Sequence, residues 1–328
     1  MRKLLMYISY LGTNYQGLQL LTSRTVKGDL RRVVPEYHTV QGVLEQALRK
    51  VLQLNEVAVH NSSRTDSGVH ALSSTVQFEV SDNDFSVSPF SPEKICMSLN
   101  YFLEKHQTDI RIQRVAEVPI EFNCRNAYSR TYNYRIALAK TNDFENCYSF
   151  MKLSAFMPIT ELYKAQVVPQ PFDVEAVQQA CRVFLGKWNF RSFATFATTS
   201  IKGRGNREPL KEEDLIKTIF KFSFSKSKID FENFDVPTYY YRDPACNKLD
   251  FYDFHVEGSG FLRRQVRRMV GILLGVGRGI ISSNDILQLL SNPNDSSWPG
   301  CISGSLPEGL FLKSVNYKHI DILRGPLS

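Results

Sequence analysis

An arginine, a threonine and an aspartate stand together in the stretch "SSRTDSGVHAL", residues Ser62–Leu72. Asp66 and Gly68 have the spacing of an ordinary tight turn, in which Arg64 would simply be solvated. The chemical alternative is a carboxylate that a tight loop presents in a pocket. Burial raises the pKa of a carboxyl group and a nearby cation lowers it again, so an ionised aspartate in a dry pocket requires a committed cation. Asp66 is therefore the candidate catalytic residue, with a plain turn as the alternative.

A candidate cation lies much later, in "GSGFLRRQVRRMVGILLGVG", residues Gly258–Gly277. A helix over this stretch would have an apolar side and a side bearing four arginines. The arginines are Arg263, Arg264, Arg267 and Arg268. A charge run of this kind is usually a solvated face, but guanidinium groups also bind carboxylates and phosphates. The stretch predicts a long helix whose basic face is a candidate for binding nucleic acid.

Tyr132 is the third candidate, within "SRTYNYRIA". A tyrosine that alternates with polar residues along a strand is usually part of a core. If the ring faces a cleft instead, it offers a plane on which a nucleic-acid base can stack, worth about 1–3 kcal/mol. Both interpretations stay open for this residue.

The composition limits the classes of protein to which this chain can belong. Lys and Arg outnumber Asp and Glu by 40 to 33 among 328 residues, which gives a net charge of +7. This excess is compatible with a polyanionic partner. The six cysteines include no Cys-x-x-Cys pair and the six histidines do not cluster, so we expect reduced thiols and no metal site. We also expect no cofactor, because there is neither a Walker loop nor a dinucleotide fingerprint, and no membrane span.

Periodic patterns predict the elements that position these candidates. Alternation predicts strands at Lys3–Tyr10, Val57–His60, Thr75–Val80, Ile110–Val115, Ser129–Ala139, Ile216–Phe224, Leu249–Val256 and Gly309–Tyr317. Helical spacing predicts a helix from Val40 with Thr39 as its N-cap, one around Ile95–Leu103, and one capped by Asp173. The mixture lacks the strict alternation of a doubly wound sheet. Two α+β halves, each an antiparallel sheet backed by helices, fit better, with residues 1–120 and 121–328 as the two domains.

At this point several motifs together resemble one family. "SSRTDSGVHAL" closely resembles the R-T-D-x-G-V-H-A motif of the TruA-type tRNA pseudouridine synthases. The other segments follow in the family's order: "YLGTNYQGLQ", "TVQGVLEQAL", "SLNYFL", "DIRI", "FNCRNAYSRTYNYRI", "FLRRQVRRMVG" and "GLFLKSVNY". Agreement in order along nearly the whole chain makes chance similarity a poor explanation.

The resemblance implies a fold and a set of roles. The fold would be two α+β halves that share a continuous, mostly antiparallel sheet, with helices packed on it and a central RNA-binding cleft. Asp66 would be the catalytic aspartate of an isomerase that converts uridine to pseudouridine in RNA, with tRNA as the expected partner. Arg64 would help to extrude the target uridine, Tyr132 would stack on the flipped base, and Arg267 would pair with Asp66. Arg263, Arg264 and Arg268 would contact the RNA backbone more weakly.

The chain also departs from the family's pattern. Ser63 stands where the family commonly has Gly, and Leu18 stands where bacterial members have Trp. The segment Thr22–His38 is longer than in bacterial members. These differences bear on which RNA is bound, so the position of the target uridine does not transfer.

Three other functions compete with that of a synthase. The alternative is a catalytically silent RNA-binding protein on the same fold, although such a protein would be expected to lose Asp66, its arginine or its tyrosine. A simple RNA-recognition module would show an aromatic-rich strand motif that is missing here, and a metal-dependent nuclease would want carboxylates and histidines clustered near Asp66. Monomer and homodimer both stay open. Similarity to animal members of the family favours mitochondria slightly, whereas the lack of room for a transit peptide before the first strand argues the other way.

We predict that RNA binding weakens as salt is added, because phosphate contacts from Arg263, Arg264 and Arg268 release counterions that bulk salt replaces. Affinity for tRNA transcripts, measured across a salt series, should fall between low and moderate ionic strength. Affinity that stays constant over that range would contradict a basic RNA-binding surface.

Overall fold

The computed structural model describes residues 1–20, 38–80, 90–140, 157–195, 211–227, 248–294 and 296–318. The chain forms two compact units. Unit 1 contains Met1–Arg130 and Phe311–Ser328, and unit 2 contains Thr131–Leu310. The predicted division at residue 120 stays a prediction. Among the described residues, no helix is both long and apolar enough to cross a membrane.

The sheet of unit 1 is built around its first strand. The strands are β1 (Arg2–Tyr10), β2 (His60–Asn61), β3 (His70–Val80), β4 (Ile110–Val118) and β10 (Leu310–Asn316). They lie in the order β4-β1-β3-β10, with β2 paired to β3. β1 is antiparallel to both neighbours, with Met6 opposite Val76 and Val115, whereas β10 runs parallel to β3. Because β1 is paired along both of its edges, it is an interior strand of the sheet.

Two helices of unit 1 begin at side-chain caps. Helix α1 (Val40–Leu52) begins after Thr39, whose hydroxyl accepts a hydrogen bond from the Gly42 N–H at 3.2 Å. Helix α2 (Pro92–Lys105) begins after Ser91, which caps Lys94 N in the same way. Each cap satisfies a backbone N–H that the helix itself leaves without a partner. The buried residues of α1 recur at helical spacing, as the sequence predicts.

Unit 2 contributes the remaining strands of the ten-stranded sheet. Its strands are β5 (Ser129–Ala139, whose first two residues belong to unit 1), β6 (Gln166–Val168), β7 (Gly186–Asn189), β8 (Ile216–Lys226) and β9 (Leu249–Gly258). Their order is β5-β9-β8-β7, with β6 parallel to β5. The helices are α3 (Val174–Cys181), α4 (Glu212–Leu215), α5 (Gln265–Gly277) and α6 (Ser283–Ser291).

The core of unit 2 is aromatic on one side of the sheet. Phe184 contacts Phe222, and Phe254 stacks on Phe224 with ring centroids 4.3 Å apart. Helix α5 is apolar on nearly every side after its first turn and is buried along its length. Its Gly271 permits the backbone of Ser303 to approach, since an added Cβ would lie 2.5 Å from the Ser303 carbonyl oxygen.

The predicted α+β fold, mostly antiparallel with helices packed on the strands, is confirmed by these units. Asp173 caps α3 as predicted, with the Ala176 N–H donating to its carboxylate at 2.9 Å. Two predictions were wrong in detail. The strand Val57–His60 is reduced to His60–Asn61, and the long helix begins at Gln265 rather than near Gly258. Residues 22–37 of the longer predicted segment lie outside the described residues.

Arg135 on β5 forms ion pairs with carboxylates from two other segments of unit 2. The Arg135 guanidinium donates to the Asp253 carboxylate at 2.8 and 3.2 Å and to Glu161 at 2.8 Å. Burial lowers the pKa of Arg135, but Asp253 and Glu161 outweigh that effect and raise it above its usual value. Asp253 and Glu161 are both buried, so each carboxylate needs the Arg135 guanidinium to balance its charge.

We predict that Arg135→Met destabilises the protein by about 3–5 kcal/mol, because it leaves two buried carboxylates without their cation. Urea denaturation would measure the free energy of unfolding. The matched control is Arg191→Met, which breaks a contact with the exposed Glu212 and should cost at most about 1 kcal/mol. If Arg135→Met and Arg191→Met lowered the free energy of unfolding equally, burial of the two carboxylates would not be the cause of the loss.

Candidate active site

Asp66 lies in the turn that connects β2 to β3. Arg64 is exposed, Thr65 is buried and Asp66 is half-buried. The Val69 N–H donates to the Asp66 carbonyl oxygen at 3.2 Å, and Gly68 has φ +78°, in the left-handed region that favours glycine. The interpretation of Gly68 as the residue that permits this turn is confirmed.

Tyr15 and Leu18, which follow β1 in the chain, hold the Asp66 turn through backbone hydrogen bonds. The Leu18 N–H donates to the Thr65 carbonyl oxygen at 3.2 Å, and the carbonyl oxygen of Tyr15 accepts from Gly68 N at 3.4 Å and from the Ser67 hydroxyl at 3.1 Å. These bonds attach residues on both sides of Asp66 to one neighbouring stretch of backbone. The peptide around Asp66 is therefore held in one conformation.

Two glycines make that approach possible. A Cβ on Gly17 would lie 2.8 Å from the Thr65 carbonyl oxygen, and Gly17 has φ +107°. A Cβ on Gly12 would overlap the carbonyl group of Val69, which is backbone and has no rotamer to change. A side chain at either position would push the Asp66 turn out of place.

The side chains of Tyr10, Thr65 and His70 also help to hold the Asp66 turn in place. The hydroxyl groups of Tyr10 and Thr65 share a hydrogen bond at 2.8 Å. His70 is fully buried, stacks on Phe311 with centroids 4.5 Å apart, and accepts from the Gly12 N–H through Nδ1 at 2.9 Å. Since Nδ1 accepts, the proton of the neutral ring lies on Nε2. His70 fixes the start of β3, four residues after Asp66.

Arg130 binds the serine that precedes Arg64. Its Nε donates to the Ser63 hydroxyl at 2.8 Å, and its Nη2 donates to the Ser62 carbonyl oxygen at 3.0 Å. A glycine at position 63, as the family commonly has, would offer no side-chain acceptor. No local pattern marks Arg130 for this role, because Ser63 lies 67 residues away in the chain. Gly12 and Gly17 do carry a local signal, since two glycines that flank a short polar segment after a strand indicate close backbone approach.

Tyr132 lies on β5 and is 7% exposed. Its ring meets Phe261 edge to face, with centroids 5.2 Å apart and an angle of 87° between the planes. The ring orientation is therefore fixed within unit 2. Its neighbour Tyr134 is fully buried, donates to the Leu306 carbonyl oxygen at 2.8 Å, and has its pKa raised by burial.

The predicted helical face of four arginines is wrong. Leu262 and Gln265 form a turn, in which Gln265 N donates to the Leu262 carbonyl oxygen at 3.0 Å and the Gln265 side chain accepts from Leu262 N at 2.8 Å. Arg264 takes the left-handed conformation with φ +61°, which interrupts helical geometry. Arg263 and Arg264 thus precede α5, and only Arg267 and Arg268 belong to the helix.

The two helical arginines bind backbone carbonyl groups of unit 2. Arg267 Nε donates to the Ser305 carbonyl oxygen at 2.8 Å, and Ser305 N donates back to the Arg267 carbonyl oxygen at 2.9 Å. Arg268 Nη1 donates to the carbonyl oxygens of Ser192 and Ala194 at 3.1 and 2.6 Å. Its guanidinium also lies over the ring of Trp298, and burial, then the charge of Arg264, lower its pKa. Contact of these arginines with RNA, and the pairing of Arg267 with Asp66, stay predictions.

Within the described parts of the chain, no group of three or more His, Cys, Asp or Glu side chains could hold a metal ion. Burial raises the pKa of Cys124 to about 11 and that of Cys181 to about 12. These two thiols are therefore protonated at neutral pH and are poor nucleophiles or ligands.

Comparison with known proteins identifies relatives along almost the full length. A sequence model of the family described as tRNA pseudouridine synthase matches residues 180–318. The chain is 30% identical to the human protein "tRNA pseudouridine synthase-like 1", over 98% of this chain and 93% of that protein. The mouse protein of the same name is 29% identical, over 99% and 95% of the two chains. The "tRNA pseudouridine synthase A" of Oceanobacillus iheyensis is 27% identical, over 97% and 98%. The resemblance found in the motifs is confirmed.

We predict that Gly12→Ala destabilises the protein by about 1–3 kcal/mol, because the new methyl group collides with the Val69 backbone. Urea denaturation would measure the change. Gly300→Ala is the matched control, since a Cβ at Gly300 meets nothing within 4 Å. The close approach of the two backbones would be disproved by a Gly12→Ala protein that is as stable as the control.

Proposed function

The chain belongs to the tRNA pseudouridine synthase family, and on that premise we propose that it isomerises uridine to pseudouridine in RNA through a single catalytic aspartate, Asp66. It is an isomerase of the intramolecular transferase kind. The observation that carries the assignment of Asp66 is its place in a turn that backbone hydrogen bonds and two glycines hold in one conformation. The proposed substrate is tRNA.

The reaction conserves the atoms of uracil and ribose. The bond between C1′ and N1 breaks, the detached uracil rotates, and C5 forms a new bond to C1′. C5 loses its proton to solvent and N1 gains one, so nothing is oxidised or reduced. The balance needs no nucleotide, metal or redox cofactor.

One carboxylate is enough for this balance. Glycoside hydrolysis, which also cleaves a bond at C1′, normally divides its work between two carboxylates because a water molecule must be activated. Here the leaving group returns as its own nucleophile, so the protein must hold the uracil and exclude water. A carboxylate at Asp66 can attack C1′, attack the base, or remove the proton from C2′, and each step requires it to be ionised and fixed.

The rigid turn suits any of these three steps. A catalytic group gains most when its position is set before the substrate arrives, since small displacements reduce the rate steeply. The bonds from Leu18 and Gly68 restrain the peptide on each side of Asp66. Exposed Arg64, two residues away, is suitably placed to enter the RNA and occupy the position of an extruded uridine.

The remaining roles follow the resemblance. Tyr132 is proposed to stack on the flipped base, with Phe261 holding its ring in orientation. Arg267 is proposed to pair with Asp66, and its bond to Ser305 orients the guanidinium. Flipping a nucleotide costs a few kcal/mol, which phosphate contacts from Arg263 and Arg264 would offset.

We predict that Asp66→Asn abolishes turnover while RNA binding is kept. The assay uses tRNA transcripts with tritium at C5 of uridine and measures tritium released to water, without added metal or nucleotide. Wild-type protein should release tritium, and Asp66→Asn should lower the rate on the order of 10⁴-fold or more, because an amide can neither attack nor accept the proton.

Asp109→Asn is the matched control, because Asp109 is an exposed aspartate of unit 1 that accepts from Asn14 at 2.9 Å. It should release tritium like the wild type. Tight binding without release by the wild type would favour the alternative, a catalytically silent RNA-binding protein. Equal release by wild type and Asp66→Asn would remove Asp66 from the mechanism.

A further inference from the structure

Unit 1 carries an exposed tyrosine between basic residues. Tyr128 is 46% exposed, and Lys318 Nζ lies 4.4 Å from the centroid of its ring. Arg125, three residues before Tyr128, is also exposed. We call Arg125, Tyr128 and Lys318 the Tyr128 surface. An aromatic ring beside cations is the combination that binds a base by stacking and its phosphate by charge.

The Tyr128 surface is held rigidly. Tyr128 N donates to the Asn316 carbonyl oxygen at 2.8 Å, and the Asn316 side chain donates to the Ser129 hydroxyl at 3.0 Å. The next residue, Tyr317, donates through its hydroxyl to the Cys124 carbonyl oxygen at 2.9 Å. These bonds attach the end of β10 to residues on both sides of Tyr128. An exposed ring on such a support loses little conformational freedom when it binds a ligand.

Arg130 connects this surface to the turn that carries Asp66. On one side its guanidinium donates to Ser62 and Ser63, directly before Arg64. On the other side it donates to the carbonyl oxygens of Arg125 and Ala127, at 3.2 and 3.4 Å. A single guanidinium group is only a few ångströms wide, so the two segments lie side by side within unit 1. A nucleotide strand held at Asp66 would continue over the neighbouring surface.

We propose that the Tyr128 surface binds a nucleotide of the RNA that neighbours the target uridine, with its base stacked on Tyr128 and its phosphate near Arg125 and Lys318. The proposal rests on the proposed function, which places the target uridine at Asp66. Stacking accepts any base, so this contact adds affinity and registers the strand without reading its sequence. Arg130 serves as a positioning residue, since its guanidinium is bound to four groups of the protein.

The test compares tyrosines of the same unit. Binding of a tRNA transcript is measured by fluorescence anisotropy in an Asp66→Asn background, and tritium release is measured separately in the wild-type background. Tyr128→Ala should weaken binding about tenfold, and Tyr128→Phe, which keeps the ring, should bind like the parent. Tyr101→Ala is the control, because Tyr101 is 71% exposed on α2. Lys318→Ala should reduce the slope of log affinity against log salt by about one.

The outcomes separate this proposal from the proposed function. Weaker binding by Tyr128→Ala, with an unchanged rate at saturating RNA and unchanged thermal stability, supports the Tyr128 surface. If the wild type releases no tritium but Tyr128→Ala still binds more weakly, the surface is supported and the catalytic assignment fails. Tyr128→Ala binding as tightly as its parent, Tyr101→Ala losing as much affinity, or no binding of RNA by the parent protein would each overturn the proposal.

Discussion

Backbone packed directly against backbone is the constraint on which the Asp66 turn depends. Gly12 and Gly17 lie so close to the backbone of Val69 and Thr65 that neither position has room for a side chain. This closeness lets main-chain hydrogen bonds, rather than flexible side chains, fix both sides of Asp66. Main-chain groups have fewer ways to move than side chains, so the backbone position of Asp66 is well defined.

The arginines of this protein divide between structure and surface. Arg130, Arg135 and Arg268 each donate several hydrogen bonds to carbonyl or carboxylate oxygens of their own unit. A guanidinium group has five donors in a planar fork, so one residue can fix several chain segments at once. These three arginines therefore hold chain segments together, while their charges still count toward the net +7. Arg64 and Arg125 are exposed, and they are the arginines of unit 1 that we propose contact RNA.

The serine at position 63 shows how a departure from a family's pattern can be compensated. Its hydroxyl accepts from Arg130, and Arg130 in turn binds the carbonyl groups around Tyr128. Ser63, in the motif that contains Asp66, is thus linked through Arg130 to a surface elsewhere in the same unit. Leu18, the second departure, is fully buried beside the Thr65 contact. Both residues therefore lie in or directly against the Asp66 turn.

The sequence by itself determined several features that are set by residues close together in the chain. Alternation located most strands, the caps at Thr39 and Asp173 located two helix starts, and Gly68 marked the turn, because each of these is set within a few residues. The motif order also identified the family. The structure alone showed that a turn at Leu262–Gln265 places Arg263 and Arg264 before α5, although this turn is local. It also decided that Arg130 binds Ser62 and Ser63, that Arg268 binds Ser192 and Ala194, and that Lys318 lies over one face of the Tyr128 ring. These last contacts join segments far apart in the chain, and their geometry exists only after a whole unit has packed.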